Sequence, residues 1–267
     1  METQRLKNIA IVILLLLNAC LLLLLGYQHF QSRWAQADAR EELRSLYAAN
    51  QLTLSAQADL DQEPLSPLSL LRHSGTEQAI ASSLLGGSTS ALSQGGGIYS
   101  YAGEHGTIRF RSGGGFDGTG LTVPVEDIPR FFRQFCQTFG YAGAQVQAEG
   151  GAGTASAVQE VAGVPVSGCA VSMEFEDGLL TAVTGAHVSL EDALPESAEQ
   201  LGCITALVRF LDYRNASGTA CSEVRSIRCI YELPGGAGAL RLVPMWQVET
   251  DTYTYFIDCS NGEVTRR

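Results

Sequence analysis

An apolar run near the N-terminus constrains this chain more than any other feature. Residues 9–25 contain only Ile, Val, Leu, Ala, Cys and one Asn. Exposure of these aliphatic side chains to water would be unfavourable, whereas the hydrocarbon of a bilayer accommodates them. Within a bilayer, an α-helix also satisfies all of its own backbone hydrogen bonds. At about 1.5 Å per residue, residues 9–30 are long enough to cross a hydrocarbon core about 30 Å thick. The sequence therefore predicts a single transmembrane helix over residues 9–30.

The residues that flank the run predict its orientation. Arg5 and Lys7 precede it, and basic residues beside a span tend to stay in the cytoplasm. We therefore expect residues 1–8 to form a cytoplasmic tail of a cell-membrane protein, with the bulk of the chain extracytoplasmic. The alternative is a cleaved signal peptide, for which residues 35–37 and 37–39 offer small-x-small sites. Because the run is longer than the apolar region of such signals, the retained anchor is favoured.

One polar side chain interrupts the apolar run. Asn18 would carry an amide into hydrocarbon, where helix pairs gain about 0.6–2 kcal/mol from interhelical contacts of this kind. Asn18 is therefore a candidate contact with a second transmembrane helix. The competing interpretation is a polar residue that the membrane tolerates without a partner.

Charge limits the classes of partner. The formal net charge is −11 and Lys7 is the only lysine, so the basic surface that nucleic-acid binding requires is absent. The part of the chain beyond the apolar run is long enough for one large or two small domains.

Six cysteines follow the apolar run, and an even number in an exported domain permits disulfides. Cys221 and Cys229 flank the start of a predicted strand and are the favoured bridge candidates. The alternative is that several cysteines are small buried hydrophobic residues. No C-x-x-C motif supports a zinc or thioredoxin-type site.

The periodicity predicts an α+β fold with tandem antiparallel units, each packed on one helix. Residues 31–124 are expected to hold a stalk helix and a small subdomain in which residues 86–97 and 113–120 form flexible glycine-rich segments. Residues 125–267 are expected to contain two helix-plus-sheet units. Their helices are predicted over residues 125–140 and 191–213, each followed by a set of strands.

Several segments in this C-terminal region resemble a PepSY-like module: GVPV at residues 163–166, FEDGLL at 175–180, PMWQV at 244–248 and YFIDC at 255–259, followed by an Asn-Gly-Glu turn. A short basic N-terminus, one membrane helix and such an ectodomain together resemble the YycH/YycI-like proteins. These are membrane-anchored regulators of WalK-type sensor histidine kinases in Gram-positive bacteria.

This resemblance implies a non-catalytic regulator in two-component signalling. Its expected partners are a sensor histidine kinase and a related membrane-anchored regulator. It implies no cofactor, no small-molecule substrate and no catalytic residue. The alternative function is an exported PepSY-type binding module that inhibits or chaperones a peptidase through exposed sheet edges.

The residues offer little support for an enzyme or a metal protein. Gly113, Gly115 and Gly118 match a dinucleotide fingerprint, but a strand-like segment follows where a helix is required. Acidic residues could bind calcium, although a solvated strand face and a helix start explain them better; they are Glu174, Glu176, Asp177, Glu191 and Asp192. An uncharacterised enzyme is therefore disfavoured.

Overall fold

A computed structural model describes residues 38–235 and 240–267 of the chain. No helix within this part is both long enough and apolar enough to cross a membrane. The predicted transmembrane helix over residues 9–30 and Asn18 lie outside the described residues.

Four helices occur in the described part: α1 over residues 38–49, α2 Ser74–Leu85, α3 Ile128–Phe139 and α4 Cys203–Ser217. Helix α3 begins three residues after the predicted start at residue 125 and stops at Gly140, as predicted. Asp127 Oδ1 accepts a hydrogen bond from Arg130 N at 2.9 Å, which caps the first turn. Gly140 ends the helix in the left-handed region, with φ +71°.

Within residues 38–235 and 240–267, fifteen strands form one continuous sheet. They are β1 Thr53–Leu54, β2 Leu68–Ser69, β3 Ser90–Gly95, β4 Ile98–Gly103, β5 Gly106–Phe110, β6 Gly115–Pro124, β7 Tyr141–Glu149, β8 Ala152–Val161, β9 Val164–Glu176, β10 Leu179–Ala186, β11 Leu194–Pro195, β12 Glu223–Glu232, β13 Arg241–Thr250, β14 Thr254–Asp258 and β15 Val264–Arg266.

The main path of the sheet runs β11-β2-β13-β12-β9-β10-β6-β5-β4-β3. Strands β7 and β8 extend from β9, whereas β14 and β15 extend from β13. Neighbouring strands are antiparallel except at two places, β1 beside β12 and β9 beside β12. The parallel contact of β9 with β12 joins two antiparallel halves into one sheet.

Each half has its own main hydrophobic core and two helices. In the first half, α2 and α3 pack on the sheet around Tyr101, Phe110, Phe132 and Met173. In the second half, α1 and α4 pack on β12 to β14 around Trp246. The Tyr47 hydroxyl of α1 donates to Leu207 O of α4 at 2.8 Å. Helix α1 is therefore part of the folded body.

This arrangement corrects the predicted division of the chain. The structure consists of helices packed on a large sheet, as the α+β prediction expects. The predicted domain boundary at residue 124, however, does not separate two folded units. Strand β6 pairs with β10 across it, and one core contains residues from both sides. Each half packs two helices instead of the expected one, and the predicted stalk helix lies in the second core.

Three local predictions also change. The segments 86–97 and 113–120, expected to be flexible, contain β3 and the start of β6, since pairing with β4 and β10 supplies their backbone hydrogen bonds. The helix expected over residues 191–213 begins only at Cys203. Before it, Leu194–Pro195 form β11, and the remaining residues are irregular, with Glu196 N bonded to Pro67 O and Leu201 N bonded to Cys259 O.

Candidate protein-interaction site

The sheet has two long edges that no described strand covers. Strand β3 pairs only with β4, and every residue of β3 is exposed, with Leu92 67% exposed. Among the described strands, the nine-residue strand β7 pairs only with β8. An unpaired edge presents a row of free backbone N–H and C=O groups that can pair with another chain.

Strand β7 differs from β3 because a helix lies beside it. A groove of about 340 Å³ separates α3 from β7. One wall is formed by Pro129, Phe132 and Arg133 on α3, and the other by Ala144, Val146 and Ala148 on β7. A free strand edge next to a helix-lined groove is the arrangement in which extended peptides add to a sheet. We call this feature the α3–β7 groove.

The local sequence explains why the groove is open. Residues 144, 146 and 148 alternate along β7, so their side chains share one face of the sheet. Two of the three are alanines, too small to fill the space below α3. The pairing of β7 with β8 is irregular between Ala142 and Gln145, where Gly143 has φ +64°. This bulge bends the first part of the strand.

The groove carries a positive charge on its rim. Arg133 is exposed, and no acidic side chain of residues 38–235 and 240–267 forms an ion pair with it. The neighbouring Arg130 is also exposed and likewise lacks an acidic partner within those ranges. Arg133 is the basic side chain that lines the groove itself, so a partner side chain placed opposite it would favourably be acidic.

A second groove, of about 570 Å³, lies between α2, the end of α3 and residues 187–191. His187 lines it, and its Nε2 donates a hydrogen bond to Phe139 O at 3.2 Å. Burial lowers the pKa of His187 to about 4, and the bond to Phe139 partly opposes this shift. A neutral imidazole bonded to a backbone carbonyl is a structural group in this setting.

The acidic residues considered for calcium are not brought together. Glu174 and Glu176 are exposed on β9, whereas Glu191 and Asp192 lie beside His73 at the start of α2. Across the described ranges, no group of three or more His, Cys, Asp or Glu side chains is placed to hold a metal ion.

The dinucleotide fingerprint also falls in an unsuitable place. Gly114 occupies a turn with φ +80°, and Gly115 begins β6, which continues to Pro124. A strand therefore replaces the helix whose N-terminus would face a pyrophosphate.

The structure contradicts a bridge between Cys221 and Cys229. Cys221 precedes β12 and Cys229 lies within it, so their Cα atoms are on the order of 25 Å apart along an extended chain. A disulfide requires Cα atoms within about 7 Å. All six cysteines of the described part are free thiols. Cys229 Sγ instead accepts a hydrogen bond from Leu65 N at 3.5 Å.

Comparisons with known proteins give no family for the chain. No protein-family model matches it, and no curated protein matches it at a significant level. Among solved structures, the chain is similar to the Bacillus megaterium YpeB C-terminal domain, with a TM-score of 0.33 and 12% sequence identity. The match covers 74% of this chain and 98% of that one. At this TM-score the likeness establishes neither a shared fold nor a shared function.

The sequence predicts α3 and a set of strands after it, but not the groove between α3 and β7. The alanines that alternate over residues 144–148 do predict unfilled space on one face of the strand, because an alanine side chain is too small to fill the gap to a packed helix. That β7 is an edge strand follows only from the strand order of the whole sheet.

Proposed function

We propose that this protein is a non-catalytic, extracytoplasmic regulator that binds a partner protein through the α3–β7 groove. The observation that carries the proposal is the nine-residue free edge of β7 beside an open groove. An extended segment of the partner would add to β7 by main-chain hydrogen bonds, and alternate side chains would enter the groove.

Charge selects the kind of segment that fits. Arg133 on the rim would pair with an acidic side chain of the partner segment, and the alanines on β7 leave room for aliphatic side chains below α3. The occupant we infer is an extended, aliphatic segment with at least one carboxylate opposite Arg133.

The finer proposal concerns the partner's identity. The resemblance of the sequence to YycH/YycI-like proteins, together with the apolar run over residues 9–25, supports a sensor histidine kinase as the partner. The helix over residues 9–30 would contact kinase helices through Asn18, and the ectodomain would bind the extracytoplasmic part of the complex. Binding would change kinase activity only if the contacts differ between two kinase conformations.

Site-specific photo-crosslinking in native membranes tests the groove. A photo-reactive side chain at Ala144 of the full-length chain should crosslink to a membrane partner that mass spectrometry identifies as a histidine kinase or its regulator. The matched control is the same probe at Tyr253, which is 48% exposed on the other half of the sheet. Arg133→Glu should abolish the adduct at position 144. Equal adducts at both positions, or an adduct unaffected by Arg133→Glu, would exclude the groove.

The membrane contact has a separate test. Asn18→Leu should weaken co-purification of the kinase without affecting the crosslink at Ala144. Unchanged co-purification and unchanged signalling would remove Asn18 from the proposal and leave the groove standing.

The same free edge also favours a second candidate, a peptidase inhibitor or chaperone, since a β7 edge could pair with a peptidase sheet. Purified protein should then inhibit or stabilise an exported peptidase, and Arg133→Glu should reduce the effect. If no exported peptidase of the host binds the protein while the crosslink to a kinase forms, this candidate fails.

A further inference from the structure

The free edge at β3 differs in charge from the free edge at β7. Residues 78–103, which run from α2 through β3 to the end of β4, contain no Asp, Glu, Lys, Arg, His or Pro. Strand β7 ends in Glu149 instead, and Arg133 lies beside it. Natural edge strands are commonly protected from pairing with other chains by charged side chains or proline, and β3 has neither.

Strand β3 is also held in a conformation that can pair. From Ser90 to Ser93 its register with β4 is regular, and the irregularity falls only between Ser93 and Gly95. The turn that follows is fixed to the start of α2, because Arg72 Nη1 donates to Gly97 O. A strand that is already ordered loses little conformational entropy when a second strand binds to it.

The most exposed large side chain of this edge is Leu92. Its neighbour Ala91 pairs with Tyr101, whose side chain lies in the first core. Because side chains alternate along a strand, Leu92 lies on the opposite, outer face of the sheet, where it is 67% exposed. The edge therefore combines unpaired backbone groups with an aliphatic side chain.

The order of side chains along β3 is nearly symmetric about Leu92. An antiparallel pair of two such strands, centred on this residue, places the two Leu92 side chains opposite each other. The same register places Ala91 opposite Ser93, and Ser90 opposite Gln94. Each pair joins side chains of one kind: two leucines, two small residues, or two uncharged polar residues. Two copies of β3 therefore fit each other without bringing like charges together.

We propose that this chain forms a two-fold symmetric homodimer in which the β3 strands of two copies pair antiparallel about Leu92. Two chains of net charge −11 repel each other, so a contact between copies is favoured where the surface carries no charge, as over residues 78–103. Pairing of β3 with β3 closes after two copies, whereas pairing of β3 with β7 of the next copy would continue into a filament. The dimer leaves both α3–β7 grooves free, so it does not depend on the function proposed above.

The length of β3 sets the expected strength of the dimer. Its six residues span only about 20 Å. Stable complexes typically bury about 1,200–2,000 Å² of surface, which a short strand edge does not provide. The association should therefore be weak and reversible, and its register is best tested by covalent trapping.

Disulfide trapping in the full-length chain, in a Cys20→Ser background, tests the register. In Leu92→Cys the two new thiols would face each other with Cα atoms about 4.5–5.5 Å apart, which permits a disulfide. Mild oxidation should then give a covalent dimer that the background protein, whose other six cysteines are free thiols of the folded body, does not give. Ser90→Cys, also exposed on β3, is the matched control. Its two thiols would lie about 13 Å apart along the strands and should not link.

Equal linking at positions 92 and 90 would mean random collision and would overturn the proposal. The absence of any link from Leu92→Cys would overturn it as well.

Sedimentation velocity of the detergent-solubilised full-length chain tests the dimer without a crosslink. The parent should convert from monomer to dimer as its concentration rises. Leu92→Lys places two ammonium groups opposite each other and removes the leucine contact, so it should raise the dimer Kd by roughly tenfold or more. Leu194→Lys is the matched control, because Leu194 is 66% exposed on β11, at the opposite end of the main path of the sheet.

Leu194→Lys should sediment like the parent. A monomer up to the highest soluble concentration, species that grow beyond a dimer, or equal weakening by the two lysine variants would exclude the β3 dimer.

Discussion

Arg72 and Glu77 form a two-bond ion pair that holds the turn between β3 and β4 against α2. Arg72 Nε and Nη2 donate to the two carboxylate oxygens of Glu77 at 2.6 and 3.0 Å. The third guanidinium nitrogen, Nη1, donates to Gly97 O in the turn. The Arg72 guanidinium also lies 4.6 Å from the centre of the Tyr99 ring. The free edge strand β3 is thereby fixed to the first core.

Arg72→Met should destabilise the protein by about 3 kcal/mol, because it leaves the carboxylate of Glu77 largely buried and without its cation. Urea unfolding followed by circular dichroism measures this loss as a lower midpoint. The slope of the transition should not change.

The double variant Arg72→Met, Glu77→Leu is the matched control. It removes both charges, so it should recover most of the stability that the single variant loses. If the effects of the two substitutions simply add, the pair is not coupled and the turn is held by other contacts.

Tyr47 tests whether α1 belongs to the folded body. Its side chain is 1% exposed in the second core, so Tyr47→Ala should reduce the free energy of unfolding by about 3–5 kcal/mol. Leu46, the preceding residue of the same helix, is 40% exposed, and Leu46→Ala should change it by less than about 0.5 kcal/mol. Equal effects of the two substitutions on thermal unfolding would make α1 the independent stalk that its sequence suggested.

The elements that sequence predicted well carry their own end signals. Helix α3 combines an apolar stripe with Asp127 at its start and Gly140 at its end. Its hydrophobic pattern and its two end residues therefore all predict the same helix. Strand β9 alternates buried and exposed residues along most of its length, and the turn at Asp177 and Gly178 then leads into β10. Local chemistry is sufficient for such elements.

The elements that sequence missed depend on their neighbours. Strand β3 has the composition of a loop, and only its register with β4, from Ser90 beside Ala102 to Gly95 beside Ile98, makes it a strand. The same holds for the α3–β7 groove. Small residues on β7 predict a gap, but the position of β7 at an edge is set by pairings of residues far apart in sequence.

Gly153 permits the close pairing of β7 with β8. A Cβ atom at this position would lie 2.2 Å from Gln147 O and 2.5 Å from Ala148 Cα, with φ +153°. Gly153→Ala should therefore force the two strands apart and destabilise the protein by about 3 kcal/mol. Gly143→Ala is the control, because a Cβ atom at this position would meet no atom within 4 Å. The expected cost of this substitution is about 1–2 kcal/mol, which comes from the positive φ of Gly143 alone. Differential scanning calorimetry should give a clearly lower Tm for Gly153→Ala, and equal Tm values would contradict the close approach.

His187 should make stability depend on pH. Its pKa is about 4 in the folded protein, lowered by burial from an ordinary value of 6.5. Between these values the unfolded chain binds a proton that the folded protein does not, so stability is fully present above pH 6.5 and falls as the pH drops to about 4. The loss reaches roughly 3 kcal/mol, at 1.36 kcal/mol for each unit of pKa.

The measurement compares the parent with His187→Gln, because carboxylates titrate in part of the same range and their contribution cancels in the difference. Glutamine can donate to Phe139 O as the imidazole does, but it cannot take up a proton. The free energy of unfolding from urea titrations at pH 7, 6, 5 and 4 should therefore fall more steeply for the parent than for the variant. Parallel curves for the two proteins would mean that His187 protonates as readily in the fold as in the unfolded chain, and that its imidazole is open to water.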